Sequence, residues 1–184
     1  MSKTFRVGIA GYGIVGKRRR LFIDHHPRLQ TVAICDRDFS EEAVLDDGVR
    51  CYKHYERLLN ESLDILFVCL PNDMAPVVTI AGLEKELHVF CEKPMAATLE
   101  DATAMVKAAK ASGKILQIGI HSTFSSELQF ARKLVDEGVT GDIYYAETCG
   151  TRRRGIPGGT FTSKKTAGAG AIVDIGIYNM HNAL

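Results

Sequence analysis

Two rhythms of apolar and polar positions alternate along this chain. Short, nearly continuous apolar runs recur at Arg6–Ala10, Thr31–Cys35, Asp64–Leu70, His88–Cys91 and Ile115–Ile120, with a shorter one near Cys51. Runs of this length, rich in Val, Ile and Phe and bounded by Gly or Pro, predict strands buried on both faces. The stretches between them have helical spacing. Met74–Glu86 carries apolar Val77, Val78, Ile80, Ala81 and Leu83. Thr98-Leu99-Glu100-Asp101 resembles a capping box, and the apolar positions Leu99, Ala102, Met105, Val106 and Ala109 follow until Gly113 offers a stop. Strands linked by helical crossovers predict an α/β domain, a doubly wound parallel sheet, over residues 1–121.

After His121 the rhythm changes, and residues 122–184 read as the start of an α+β domain. Ser126-Glu127-Leu128-Gln129 opens another helix that ends at Gly138, and Gly141-Asp142 leads into a Tyr- and Thr-containing strand, Ile143–Thr151. A Gly/Lys/Thr-rich loop follows over Gly155–Gly170, then the mostly apolar Ala171–Leu184. A lone strand cannot bury its face or satisfy its edges. The second region is therefore expected to be incomplete, through truncation or through dependence on another subunit, with a homo-oligomer possible once it is completed.

Composition narrows the functional classes. Hydrophobic residues make up 46% and charged residues 24% of the 184, enough apolar material for a core. Lys+Arg number 23 against 22 Asp+Glu, so the overall balance supports neither nucleic-acid nor acidic-membrane binding. Five cysteines are scattered without a C-x-x-C pair, which suggests neither a metal site nor a redox couple and fits reduced thiols in the cytoplasm. Phe5–Ala10 is too short for a signal-peptide core, and no segment reaches membrane-spanning length.

Four constellations carry chemistry. Gly11-Tyr12-Gly13-Ile14-Val15-Gly16 is a G-x-G-x-x-G placed between the first strand and a helix. Gly11 permits the tight turn, Gly13 lets the backbone approach a pyrophosphate, and Gly16 allows close helix–sheet packing. Asp36 lies 20 residues past Gly16, at the end of the second strand, where a carboxylate meets the adenosine ribose hydroxyls. That carboxylate favours NAD. Neighbouring Arg37 is instead suited to the 2′-phosphate of NADP, so both cofactors stay in view. The alternative is a glycine turn with a surface aspartate. The basic run Lys17-Arg18-Arg19-Arg20 spans most of a helix circumference and reads as a solvated helix start with one side chain near the phosphates.

Leu70-Pro71-Asn72 closes the Asp64–Leu70 run, and Asn72 can bond a cofactor or simply shape a turn. Glu92-Lys93-Pro94 closes Leu87–Cys91. Pro94 must end that strand, which fixes Lys93 at a carboxyl edge where open α/β sheets place ligands. The plainer alternative is a loop lysine before a turn proline. Asp174, Tyr178 and His181 stand at i, i+4 and i+7, one face of a helix whose apolar surroundings predict burial. A buried Asp174 requires a cation or hydrogen-bond donor nearby, with Lys93 as one partner and a structural Arg or Lys as the alternative.

These residues resemble the glucose–fructose oxidoreductase/inositol dehydrogenase/rhizopine-catabolism (Gfo/Idh/MocA) family. The resemblance runs from Gly11–Gly16 through Leu70-Pro71-Asn72 and Glu92-Lys93-Pro94 to the segment Gly168–Tyr178. It implies a Rossmann domain joined to a C-terminal α/β domain, and hydride transfer between NAD(P) and a hydroxyl-bearing carbon of a sugar, polyol or related alcohol. It also implies that Lys93 is catalytic, that Glu92 supports it, and that Pro94 follows a cis peptide. Asp174 matches the family's active-site aspartate, and Tyr178 stands where histidine is more usual. Departures are Ala75, His121-Ser122-Thr123, Ala169 and His181, and the roles of His121 and His181 stay open. The competing expectations are a truncated, non-catalytic dinucleotide-binding module and NAD-dependent glycosidase-type chemistry.

Overall fold

A computed structural model of the chain describes residues 3–40, 42–150, 159–167 and 170–184. They form two compact units, Met1–Ile118 and Gly119–Leu184, treated separately below.

The first unit is a seven-stranded sheet built from β1 (Phe5–Ala10), β2 (Leu29–Cys35), β3 (Ala43–Val44), β4 (Arg50–Tyr52), β5 (Ile65–Val68), β6 (His88–Cys91) and β7 (Leu116–Ile118). Its order is β3-β4-β2-β1-β5-β6-β7, and every pair is parallel except β3–β4. Helices α1 (Ile14–His25), α2 (Tyr55–Leu58), α3 (Ala75–Glu84) and α4 (Leu99–Ser112) make the connections. This is the doubly wound α/β arrangement. Strand order reverses between β1 and β5, so the crevice beyond their carboxyl ends is the switch point at which such sheets bind ligands.

Side chains alternate across the sheet and sort into two layers. Val7, Ile9 and Ile34 face α1, where they pack with Ile23 and Val49. Ala10, Ala33, Leu66, Val68 and Val89 face the other way, against Leu58 of α2, Val78 and Leu83 of α3 and Met105 of α4. Burying a side chain such as Leu66 or Ile9 contributes about 1.5–3 kcal/mol, so the strand interiors hold this unit together. Pro76 stands in the first turn of α3, where the lost N–H costs nothing, and Thr98 caps α4 by accepting the Asp101 N–H at 3.1 Å. Gly113 ends α4 at φ 65°, the left-handed stop expected of it.

Two elements were not anticipated. The edge strand β3 returns antiparallel onto β4 through a turn in which Gly48 has φ 85°, and α2 is a single turn. Both are too short to show a period.

The second unit departs further from expectation. Helix α5 (Ser126–Asp136) forms, capped by Ser125 accepting the Leu128 N–H at 3.2 Å, and Gly138 follows at φ 71°. The expected strand Ile143–Thr151 does not: residues 143–150 are irregular, and Thr151 lies outside the described residues. No strand among the described residues of this unit offers those N–H and C=O groups a ladder. The final apolar stretch is broken into α7 (Ala171–Asp174) and α8 (Gly176–Ala183), preceded by the single turn α6 (Lys164–Ala167). Gly176 at the junction costs helix stability through backbone entropy. Contrary to the burial expected of a helix apolar nearly all round, none of its residues is buried.

Candidate functional site

Within the first unit the expected cofactor residues gather at the carboxyl ends of β1, β2, β5 and β6. Gly11 leaves β1 at φ 90°. A Cβ there would lie 2.3 Å from the Cys69 carbonyl oxygen, so only glycine turns the chain this close to the end of β5. A Cβ on Gly16 would stand 2.0 Å from the Gly11 carbonyl oxygen, which sets how tightly α1 seats on the turn. Gly13 differs: a Cβ there would meet nothing within 4 Å. Its open side faces free space at the N-terminus of α1, where Gly13 gives no side-chain cap and the first turn holds no acidic residue. Ile14 is 83% exposed and Val15 is exposed as well. A twelve-residue helix with an uncapped, glycine-lined N-terminus suits a phosphate group.

Asp36 leaves the end of β2 with its carboxylate already oriented. Oδ2 accepts the Tyr12 N–H at 2.7 Å and Oδ1 accepts the Asp38 N–H at 3.1 Å. Each oxygen keeps a further lone pair for a hydroxyl donor. Arg37 is exposed and lies 3.8 Å from Asp38. Leu70, Pro71 and Asn72 continue from β5, where the Pro71 carbonyl accepts the Met74 and Ala75 N–H groups and starts α3. Leu70 lies against the glycine turn, its Cδ2 3.1 Å from where a Gly11 Cβ would be.

Glu92 and Lys93 extend β6. The Glu92 N–H donates to the Val68 carbonyl at 2.9 Å, both side chains are half-buried, and the Lys93–Pro94 peptide is cis. Glu92 has a partner that the motif does not contain: Arg19 Nε donates to Glu92 Oε1 at 2.5 Å. The basic run of α1 is thus divided between two tasks. Arg19 reaches β6, while Arg20 donates to the Tyr12 hydroxyl at 3.0 Å and pairs with Asp24 and Asp47. Tyr12 packs on Phe39, its ring centroid 6.3 Å away.

Cys35, Cys69 and Cys91 also end or follow these strands. Burial pushes the Cys35 thiol up to about 12 and the Cys91 thiol up to about 11, and it raises Cys69 as well. All three are protonated at neutral pH, which removes them as thiolate nucleophiles. Among the described residues, no group of three or more His, Cys, Asp or Glu is placed to hold a metal ion, and no helix is long and apolar enough to cross a membrane.

The second unit carries Asp174 and Tyr178 on separate short helices, both half-buried. His121, just before a 3-10 turn at Ser122–Phe124, meets the Tyr178 ring edge-on at 4.9 Å between centroids. A hydrogen bond of 2.9 Å joins Thr123 Oγ1 and His181 Nε2. The turn after β7 and helix α8 are therefore joined by two side-chain pairs involving both histidines of unassigned role. Gly168, Ala169 and the start of the Gly/Lys/Thr-rich loop, residues 155–158, lie outside the described residues.

Comparison with known proteins fits this geometry. A family model described as an oxidoreductase family with an NAD-binding Rossmann fold, GFO_IDH_MocA, matches residues 5–120. Over its whole length the chain is 34% identical to a D-glucoside 3-dehydrogenase of Escherichia coli, and it covers 54% of that protein. Over 80% of the chain it is 32% identical to a 2,7-anhydro-N-acetylneuraminate hydratase of Escherichia coli, covering 39% of that protein. The WlbA dehydrogenase of Bordetella pertussis, solved with NADH and UDP-GlcNAcA, superposes on 78% of the chain at TM-score 0.69 and 27% identity, with 43% of that structure covered. The chain spans about half or less of the length of these relatives.

Proposed function

We propose, from the premise that this chain belongs to the Gfo/Idh/MocA oxidoreductase family with its NAD-binding Rossmann fold, that it serves hydride transfer between NAD and a secondary hydroxyl of a sugar, polyol or glycoside. The observation that carries the reading is the set of groups at the switch point: an uncapped α1 N-terminus with an open Gly13, and an Asp36 carboxylate pre-aimed by two backbone N–H groups.

The dinucleotide, when bound, supplies the hydride acceptor or donor; the protein supplies binding and proton handling. In this reading the N–H groups of Ile14, Val15 and Gly16 hold phosphate oxygens, and Asp36 accepts the adenosine ribose hydroxyls. A carboxylate held in place by Tyr12 and Asp38 repels a 2′-phosphate, which favours NAD over NADP. Leu70, Pro71 and Asn72 border the adenosine side, and Glu92 faces the second ribose. By the family resemblance Lys93 bonds the reacting hydroxyl oxygen, while Asp174 and Tyr178, on the second unit, stand at the family's active-site aspartate and proton-accepting positions.

The test is turnover with NAD over a panel of sugars, polyols and glycosides, followed as NADH appears. Lys93→Ala is expected to abolish turnover while leaving NADH binding intact. Substantial activity in that variant would remove Lys93 from the chemistry. NADH binding with no turnover on any panel member would instead mark a non-catalytic dinucleotide-binding module.

The kinship with a hydratase favours one other reading, in which oxidation is transient and assists elimination or water addition. Release of a glycoside leaving group without net NADH formation would select it.

A further inference from the structure

We propose that Arg19 is a positioning residue for the dinucleotide site: acting through Glu92, it sets the turn that carries Lys93, so that the helix facing the phosphates also fixes the nicotinamide end. This rests on the dinucleotide reading above.

The helical repeat supplies the first argument. Gly16, Arg19 and Ile23 stand at i, i+3 and i+7, one stripe of α1, and Gly16 and Ile23 are the buried residues of that helix. A guanidinium between two core-facing positions is turned toward the sheet and demands a partner there. Glu92 is that partner. Arg19 Nη2 as well as Nε stands 2.5 Å from Glu92 Oε1. The ion pair is partly enclosed, with side-chain exposures of 28% and 15%.

Geometry supplies the second. Phe90 lies on β6 and Glu92 directly follows its end, where the Glu92 N–H continues the ladder to Val68; two residues apart, they project from the same face. The Arg19 guanidinium takes both, its Cζ 4.9 Å from the Phe90 ring centroid, and Phe90 stacks in turn on Phe67 at 4.8 Å. A planar cation held by an aromatic face and a carboxylate has one orientation available, which a flexible ammonium would not have. Both Arg19 nitrogens approach the same carboxylate oxygen, Oε1, which fixes the carboxylate from the α1 side.

A simple staple between helix and sheet would make a different prediction. Partly buried ion pairs add little net stability over apolar replacements. A staple would therefore show itself, if at all, in melting temperature and not in ligand affinity.

The experiment uses the full chain with Arg19→Met, Arg19→Lys, Glu92→Ala and the double variant Arg19→Met/Glu92→Ala. NADH affinity is read from the cofactor's own fluorescence, and melting from circular dichroism. Arg19→Met is expected to weaken NADH binding about tenfold, the scale of one charge-assisted hydrogen bond. Arg19→Lys should fall between it and wild type, and it keeps the test open should the methionine variant not fold. The double variant should bind within about twofold of Glu92→Ala alone, because Arg19 acts only through that carboxylate. The proposal is overturned if Arg19→Met and Arg19→Lys both bind within about twofold of wild type whatever their melting temperature, or if the single losses multiply in the double variant. Absence of NADH binding by the wild-type chain would overturn the dinucleotide reading and this proposal with it.

Discussion

Gly13 and Gly16 belong to the same six-residue turn, yet an added methyl group should damage different properties at the two positions. At Gly16 the new Cβ would lie 2.0 Å from the Gly11 carbonyl oxygen, 3.0 Å from its carbon and 3.5 Å from Ile9 Cγ2. The first two obstacles are backbone, so the clash cannot be relieved by a rotamer change. Overpacking of this kind costs about 1–3 kcal/mol, and the gain from replacing glycine by alanine inside a helix recovers about 1 kcal/mol at most. With backbone as the obstacle the upper end applies, leaving Gly16→Ala about 2 kcal/mol less stable. At a urea m-value of about 1–3 kcal/mol/M the midpoint falls by roughly 1 M.

At Gly13 the same methyl group meets nothing within 4 Å, and φ −73° with ψ −157° is extended backbone that alanine adopts. Loss of a glycine N-cap costs under about 1 kcal/mol. Gly13→Ala should therefore unfold near the wild-type midpoint. Its methyl group would fill the space a pyrophosphate needs, at the expense of one or more charge-assisted contacts, so NADH affinity should drop at least about tenfold. Urea unfolding by far-UV circular dichroism and titration by NADH fluorescence read the two properties separately. Wild-type NADH affinity in Gly13→Ala, or wild-type stability in Gly16→Ala, would refute the reasoning.

Two other perturbations test the same unit. Asp36→Asn keeps the acceptor for Tyr12 but removes the charge that excludes a 2′-phosphate, so the ratio of NADPH to NADH affinity should rise by at least about tenfold; an unchanged ratio would show that Asp36 does not face the ribose. Asp64 is held below the usual carboxylate range, first by the Arg6 backbone N–H and then by Lys3. A depressed folded value stabilises above the unfolded value, near 3.9, and that stability is lost as pH falls through the folded value. Between pH 5 and pH 2 the stability of Asp64→Asn should accordingly fall less steeply than that of wild type, as measured by urea midpoints at each pH.

The residues that were legible in the sequence owe their positions to local rules. His88–Cys91 forms a strand with the expected ends because Pro94 and the preceding turn bound it, and Gly11, Gly16 and Asp36 stand where a strand–turn–helix requires them. What was not legible depends on partners distant in sequence. Ile143–Thr151 has strand composition, but a strand exists only against another. Arg19 was hidden in a run of four basic residues, and its pairing with Glu92 is set by the register of α1 on the sheet, which no local pattern states. The break at Ile175 had a visible signal in Gly176, outweighed by the apolar residues around it. His121 and His181 were visible as departures from a family pattern. Their contacts with Tyr178 and Thr123 appeared only when the chain turned after β7.

The central claim is that residues of the first unit form a dinucleotide site at the β1–β5 switch point. Titration of the wild-type chain with NADH tests it most directly, followed by cofactor fluorescence, since the chain contains no tryptophan to interfere. The account predicts saturable enhancement that NAD displaces and that Gly13→Ala weakens. A folded chain that leaves NADH fluorescence unchanged, and shows no heat of binding by calorimetry, would contradict it.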